Sequence, residues 1–173
     1  MLVNGISRLK NGFNRRFLIK TSSFCALAFL AGSAFSNSSY SLGIETQDVV
    51  RCLPQILWLL DEDVNIEDIQ HGSLVRIHGN AFNKYFDDEV DLLKMVVGME
   101  GDTVTIDANT RTLFINDRFF GKLAASKPPV HTGEYIIQPG EIWIAGTSDT
   151  TIDSRYFGPA KLSMIEAHAY ALL

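Results

Sequence analysis

The stretch 102–117, "DTVTIDANTRTLFIND", decides how this chain folds. Val104 and Ile106 alternate with Thr103, Thr105 and Asp107, which is the period of a strand buried on one face. "TLFIND" (112–117) has strand character again, and "DANT" (107–110) supplies residues that tolerate a tight turn. The stretch therefore reads as a β-hairpin. Outward from it, further short runs sit between turn residues: "ILWLLD" (56–61), "GSLVRIHG" (72–79), "LLKMVVGM" (92–99), "EYIIQPGEIWIAG" (134–146) and "IEAHAYALL" (165–173). Helical periodicity is scarce beyond the first forty-odd residues. The expectation is a mainly β domain of short, strongly bent antiparallel strands with Gly and Pro at the corners. "NAFNKYFDDEVD" (80–91) is acidic, aromatic and poorly periodic, and reads as a loop with room for a helical turn.

The 173 residues, 46% of them hydrophobic, suffice for one domain with a core and a short attachment. Charge marks the division. Residues 1–44 carry Arg8, Lys10, Arg15, Arg16 and Lys20 and no acid, whereas all 20 acidic residues lie from Glu45 onward. A basic leader (1–44) on an acidic body (45–173) follows, and such a body lacks the clustered cations that nucleic acid requires. Within the leader, "FCALAFLAGSAF" (24–35) is followed by the polar "SNSSYS" (36–41). This is the order of an export signal, although the run is shorter than the ~20 residues of a spanning helix. Signal peptide and signal anchor both remain open, with a cleavage point after "AFS" (34–36). The charges before the run hold the N-terminus in the cytoplasm and send the body outward. "NRRFLIK" (14–20) also resembles the twin-arginine export pattern.

Three places in the body carry possible chemistry. Cys52 precedes Leu53-Pro54, and Pro54 favours an extended Leu53 that would present the thiol at a strand end. The other reading is a small buried core residue. Once exported, the body holds no second cysteine for a disulfide, because Cys25 lies in the leader. Lys94 sits inside "LLKMVV" (92–97). Burying an ammonium is costly, and desolvation favours the neutral amine that can act as a general base. Alternatively the stem packs and the amine reaches solvent. "GTSDTTIDSRYFGP" (146–159) is dense in hydroxyls and carboxylates, and Asp153 with Arg155 would form an ion pair that fixes a loop. His71, His78, His131 and His168 show no metal-ligand spacing, so no metal is expected.

Taken in order, "CLPQILWLL" (52–60), "GSLVRI" (72–77) leading to "KMVVGMEGDTV" (94–104), and "DSRYFGP" (153–159) resemble the type I signal peptidases. Within that superfamily they look most like the plasmid-encoded, TraF-type conjugative transfer peptidases. The resemblance runs from about Arg51 to the end. It implies a membrane-associated β fold preceded by an apolar helix, and a nucleophile working with a lysine base. Lys94 matches that base, and Cys52 falls where the family has serine. Asp153 matches the "DSR" aspartate with Arg155 as its partner, and Thr151 stands where a hydroxyl orients the lysine. Two departures follow. Cysteine replaces serine, and Val50 stands where signal peptidases often supply an oxyanion-hole hydroxyl. A second alignment makes Ser41 of "SLGI" (41–44) the nucleophile, without the proline.

The resemblance further implies an endopeptidase at the periplasmic face of the inner membrane, or in the periplasm if the leader is removed. It would mature an exported conjugation component, a pilin precursor, by hydrolysis or cyclisation and without a cofactor. The alternative is a catalytically inactive relative that binds pilin or scaffold components.

Overall fold

The computed structural model describes residues 15–45, 52–78, 91–125, 129 and 132–173. Val50 and residues 80–90 of the expected loop lie outside them. The chain divides into two compact units, Met1–Ser38 and Ser39–Leu173.

In the first unit, α1 spans Arg15–Ser36. From the sequence, "FLIKTSS" (17–23) extends the run 24–35 only imperfectly. The helix also takes in "FLIKTSS", so Phe17–Ser36 gives 20 residues with mean hydropathy 1.5, long and apolar enough to cross a bilayer. At about 1.5 Å per residue this reaches the ~30 Å of a hydrocarbon core. Ser22 Oγ donates to Leu18 C=O and Ser36 Oγ to Gly32 C=O, which satisfies both hydroxyls within the helix.

The second unit is built from two antiparallel sheets. The strands are β1 (Tyr40–Ile44), β2 (Leu57–Asp61), β3 (Leu74–His78), β4 (Asp91–Gly98), β5 (Thr103–Asp107), β6 (Thr112–Ile115), β7 (Arg118–Lys122), β8 (Gly133–Ile136), β9 (Glu141–Ala145), β10 (Ala160–Lys161) and β11 (Ile165–Ala171). Seven strands run in the order β1-β2-β11-β3-β4-β9-β10 and four in the order β7-β6-β5-β8. The mainly β fold with an N-terminal apolar helix is therefore present.

The hairpin at 102–117 forms as read. Val104 pairs with Ile115 and Ile106 with Leu113, all inward and buried. Asp107 Oδ1 accepts the Asn109 and Thr110 N–H groups at 2.7 and 3.3 Å, closing the turn from its first residue. "EYIIQPGEIWIAG" divides into two strands in different sheets, because Pro139 and Gly140 (φ 79°) turn the chain between β8 and β9. The chain leaves β4 for the small sheet through Met99–Asp102 and returns beside its own exit. Gly101 N–H donates to Ile137 C=O and Ile137 N–H to Asp102 C=O, both at 3.0 Å.

Three strands depart from the sequence reading. Residues 40–44, assigned there to the leader, form β1 and pair along β2, with Leu42 opposite Leu59. β7 follows a tight turn in which Asn116 and Asp117 adopt positive φ (48° and 63°). β10 is only two residues long. Inside "DSRYF", α2 (Ser154–Phe157) is a single helical turn, capped by the Asp153 side chain and ended by Gly158 at φ 87°.

Apolar burial joins these pieces. Val75, Ile77, Leu92, Val96, Ile142 and Ile144 form one cluster, and Leu53, Trp58, Leu60, Ala167 and Ala169 another. Gly98 is needed where β4 passes beneath Trp143 and Ile137. A Cβ there would lie 2.6 Å from Ile137 Cδ1 and 3.2 Å from Trp143 Cβ.

Candidate active site

Cys52 does not sit at a strand end. It occupies a bent segment, Cys52–Pro54, ahead of β2. Two anchors hold that segment. Leu53, 4% exposed, packs with Trp58 and Leu60. The Cys52 carbonyl accepts the Thr147 N–H at 2.8 Å and, more weakly, Thr147 Oγ1 at 3.4 Å. Cys52 as a residue is partly exposed.

Lys94 lies on β4 opposite Val75, on the face that carries Leu92 and Val96 into the core. It is 1% exposed, so the solvent-reaching reading of this lysine is overturned: the amine is buried along with the stem. Nζ donates to Cys52 Sγ at 2.6 Å. A proton can pass between thiol and amine along this one hydrogen bond.

Behind the pair stands a second network. Asp153 and Arg155 are 0% and 1% exposed. Arg155 grips the carboxylate with two nitrogens, Nε to Oδ1 at 2.8 Å and Nη2 to Oδ2 at 2.5 Å. Its remaining donors reach Lys122 C=O (2.7 Å), Ser148 C=O (2.8 Å) and Thr151 Oγ1 (2.6 Å). Burial alone opposes the guanidinium charge, but the hydrogen bonds and charge of Asp153 hold its pKa above the usual value. Asp153 Oδ2 also accepts the Gly146 N–H at 3.0 Å and Thr151 Oγ1 at 2.8 Å.

The carboxylate thus holds Gly146, and the next residue holds the carbonyl of Cys52. Gly146 fits because it lacks a side chain: a Cβ would stand 2.6 Å from Cys52 O and 2.8 Å from Thr151 Oγ1. Among the described residues, the hydroxyl of Thr151 is bonded to Ser148, Asp153 and Arg155, while Lys94 Nζ is bonded to Cys52. Ser41 Oγ, the rival nucleophile, donates to Glu62 at 2.8 Å from within β1.

Sequence reading missed Gly146 and Thr147. The glycine at the head of "GTSDTT" was visible, but nothing in the sequence placed Cys52 against it. It also missed the role of Asp102 in "GDTV". That carboxylate gathers Met99 N–H (2.8 Å), Asn116 Nδ2 (2.6 Å) and His71 Nε2 (2.5 Å), tying together three turns. Cross-strand register also groups His78, Asp91 and Glu166, with ligand-type atoms all within 4.8 Å of one another at the sheet surface. Arg76 Nε stands 3.7 Å from Glu166 there.

The signal peptidase family, peptidase S26, matches residues 15–173, and the chain belongs to that family. Among solved structures, the chain is similar to a signal peptidase I from Enterococcus faecalis V583. The two share 17% identity over 63% of this chain and 100% of the other, with a TM-score of 0.41. A comparison with curated proteins finds no match. The family makes this chain a peptidase, with peptides as its substrates, and α1 is consistent with membrane association.

Proposed function

We propose that this chain is a membrane-associated endopeptidase using Cys52 as nucleophile and Lys94 as general base, with an outward-facing body. The observation that carries this reading is the 2.6 Å contact between Cys52 Sγ and the buried Lys94 Nζ. Nζ takes the thiol proton, and the thiolate attacks the scissile carbonyl carbon. The tetrahedral adduct collapses as the C–N bond breaks, and the Lys94 ammonium returns its proton to the leaving amine. A thioester remains on Cys52. Water, deprotonated by Lys94, hydrolyses it and frees the thiol. A free amine of the substrate would instead give a ligated or cyclic product.

Val50 brings no hydroxyl, so backbone N–H groups around Cys52 serve the oxyanion. Asp153 and Arg155 act by holding Gly146 and Thr147 against Cys52, and Thr151 fastens the same turn. No cofactor is required.

The resemblance to TraF-type transfer peptidases supports a substrate among exported conjugation components, a pilin precursor, met at the periplasmic face of the inner membrane. Residues 1–44 would act as export leader or anchor. The test is mass spectrometry of the host's pilin subunit with wild type, Cys52→Ala, Cys52→Ser and Lys94→Ala at equal expression. Loss of the mature mass in both Ala variants upholds the reading, and a mature mass one water lighter than the linear product indicates cyclisation. Mature pilin with Cys52→Ala would move the nucleophile to Ser41 or leave a binding protein.

A further inference from the structure

We propose that Cys52 and Lys94 form an oxidative modification site, in which a hydroperoxide links them through a covalent Sγ–Nζ sulfenamide that thiols reverse. Three observations carry it. Cys52 is partly exposed as a residue, which is the route open to a small oxidant. Residues 39–173 contain no other cysteine, so an oxidised Cys52 has no thiol within its own unit to resolve it as a disulfide. The amine of Lys94 is enclosed, and its hydrogen bond runs to that same sulfur at 2.6 Å.

The chemistry takes two steps. The Cys52 thiol reacts with hydrogen peroxide to give the sulfenic acid and one water. The lone pair of Lys94 Nζ then attacks the sulfur, and the S–O bond breaks. Hydroxide leaves with a proton from Nζ as a second water, and the Sγ–Nζ bond remains. Altogether the side chains lose two hydrogen atoms and the peroxide is reduced to two waters. Overoxidation to sulfinic acid needs a second peroxide to arrive from solution. The amine is already in contact, and held groups of this kind act at effective molarities of about 10⁵–10⁸ M. Ring closure therefore wins.

Reversal is also balanced. One thiol attacks Sγ, returning Lys94 as the amine and leaving a mixed disulfide on Cys52. A second thiol frees Cys52 and departs as the disulfide of the reductant. While linked, neither the nucleophile nor the base is available. A serine at position 52 would form no such link.

The test treats the full-length chain with graded hydrogen peroxide, cleaves it after acidic residues and weighs the peptides 49–61 and 92–100. The expected result is loss of both free peptides and their appearance as one joined species, two hydrogens lighter than their sum and separated by dithiothreitol. Cys52→Ser should yield no joined species, and Lys94→Met should yield Cys52 as sulfinic acid. Free 92–100 beside sulfinic or sulfonic 49–61 in the wild type overturns the proposal. A joined species with one added oxygen that fragmentation places in the Cys52–Lys94 link, and not on the thioethers of Met95 or Met99, overturns the direct S–N bond. Because the readout is a mass, it stands apart from whether the chain cuts pilin.

Discussion

Lys94 Nζ lies 2.6 Å from Cys52 Sγ across 42 positions of sequence, and the amine has no exposure to speak of, at 1% for the residue. A buried amine set against a thiol is costly to folding, since apolar residues of like shape would fill the same space without a polar group to satisfy.

Lys94→Met should therefore separate stability from activity. The variant keeps a four-atom stem and removes the amine at its end. Its melting temperature should equal or exceed that of the wild type, while peptide cleavage falls by about 10²-fold or more, the range for a lost general base. Thermal denaturation and a cleavage assay on the same preparation check both halves.

Gly146→Ala places a methyl group 2.6 Å from the Cys52 carbonyl oxygen and 2.8 Å from Thr151 Oγ1. Neither atom is the far end of a flexible chain, so the Cys52 segment must shift. The expected cost is about 1–3 kcal/mol of stability, as for other overpacked sites. The accompanying loss of cleavage should exceed what unfolding explains, measured on the folded fraction.

Arg155→Met leaves the fully buried Asp153 carboxylate without its cation. About 3–5 kcal/mol of destabilisation is expected in denaturant titration. Adding Asp153→Asn to Arg155→Met should recover part of it, because the unpaired charge is then gone, and a double-mutant cycle would measure the coupling.

Acid stability should depend on Asp102. Burial pushes its carboxyl up, but the bonds from Asn116, the Met99 N–H and His71 outweigh this and hold it below the ordinary value of 3.8. A depressed folded value means that the unfolded chain binds the proton first. The stabilisation is complete above about pH 4 and is lost as pH falls through the folded value. Asp102→Asn should be less stable than wild type at neutral pH and should show a shallower decline below pH 4, read from melting temperatures across that range.

How far the sequence spoke depends on the kind of signal. Val104 and Ile106 declared their strand because a two-residue period survives in one dimension. "YSLGI" did not, since Ser41 and Gly43 fill its inward positions and leave the large residues exposed. Lys94 drew notice by its apolar neighbours, and Cys52 by the motif that surrounds it. Their contact, like that of Cys52 with Gly146, depends on how distant segments meet, and no local spacing encodes that. Pro54 was a partial guide. An extended Leu53 at a strand end was expected beside it, whereas Cys52–Pro54 is bent and the strand begins only at Leu57.

The chain leaves β4 at Met99 and rejoins the large sheet at β9, with its two crossings hydrogen-bonded through Gly101, Asp102 and Ile137. Topologically the four-stranded sheet is thus a cassette with adjoining ends, inserted into a hairpin that would otherwise run straight from β4 to β9. Its length can change without altering the register of Lys94 against Val75. Tethers to α2 limit that freedom: the carbonyl of Lys122 within the cassette receives Arg155 Nη1, and the Ala124 N–H donates to Tyr156 Oη at 2.9 Å. A shortened cassette must still deliver an acceptor to that guanidinium, or the clamp behind Cys52 loses a support.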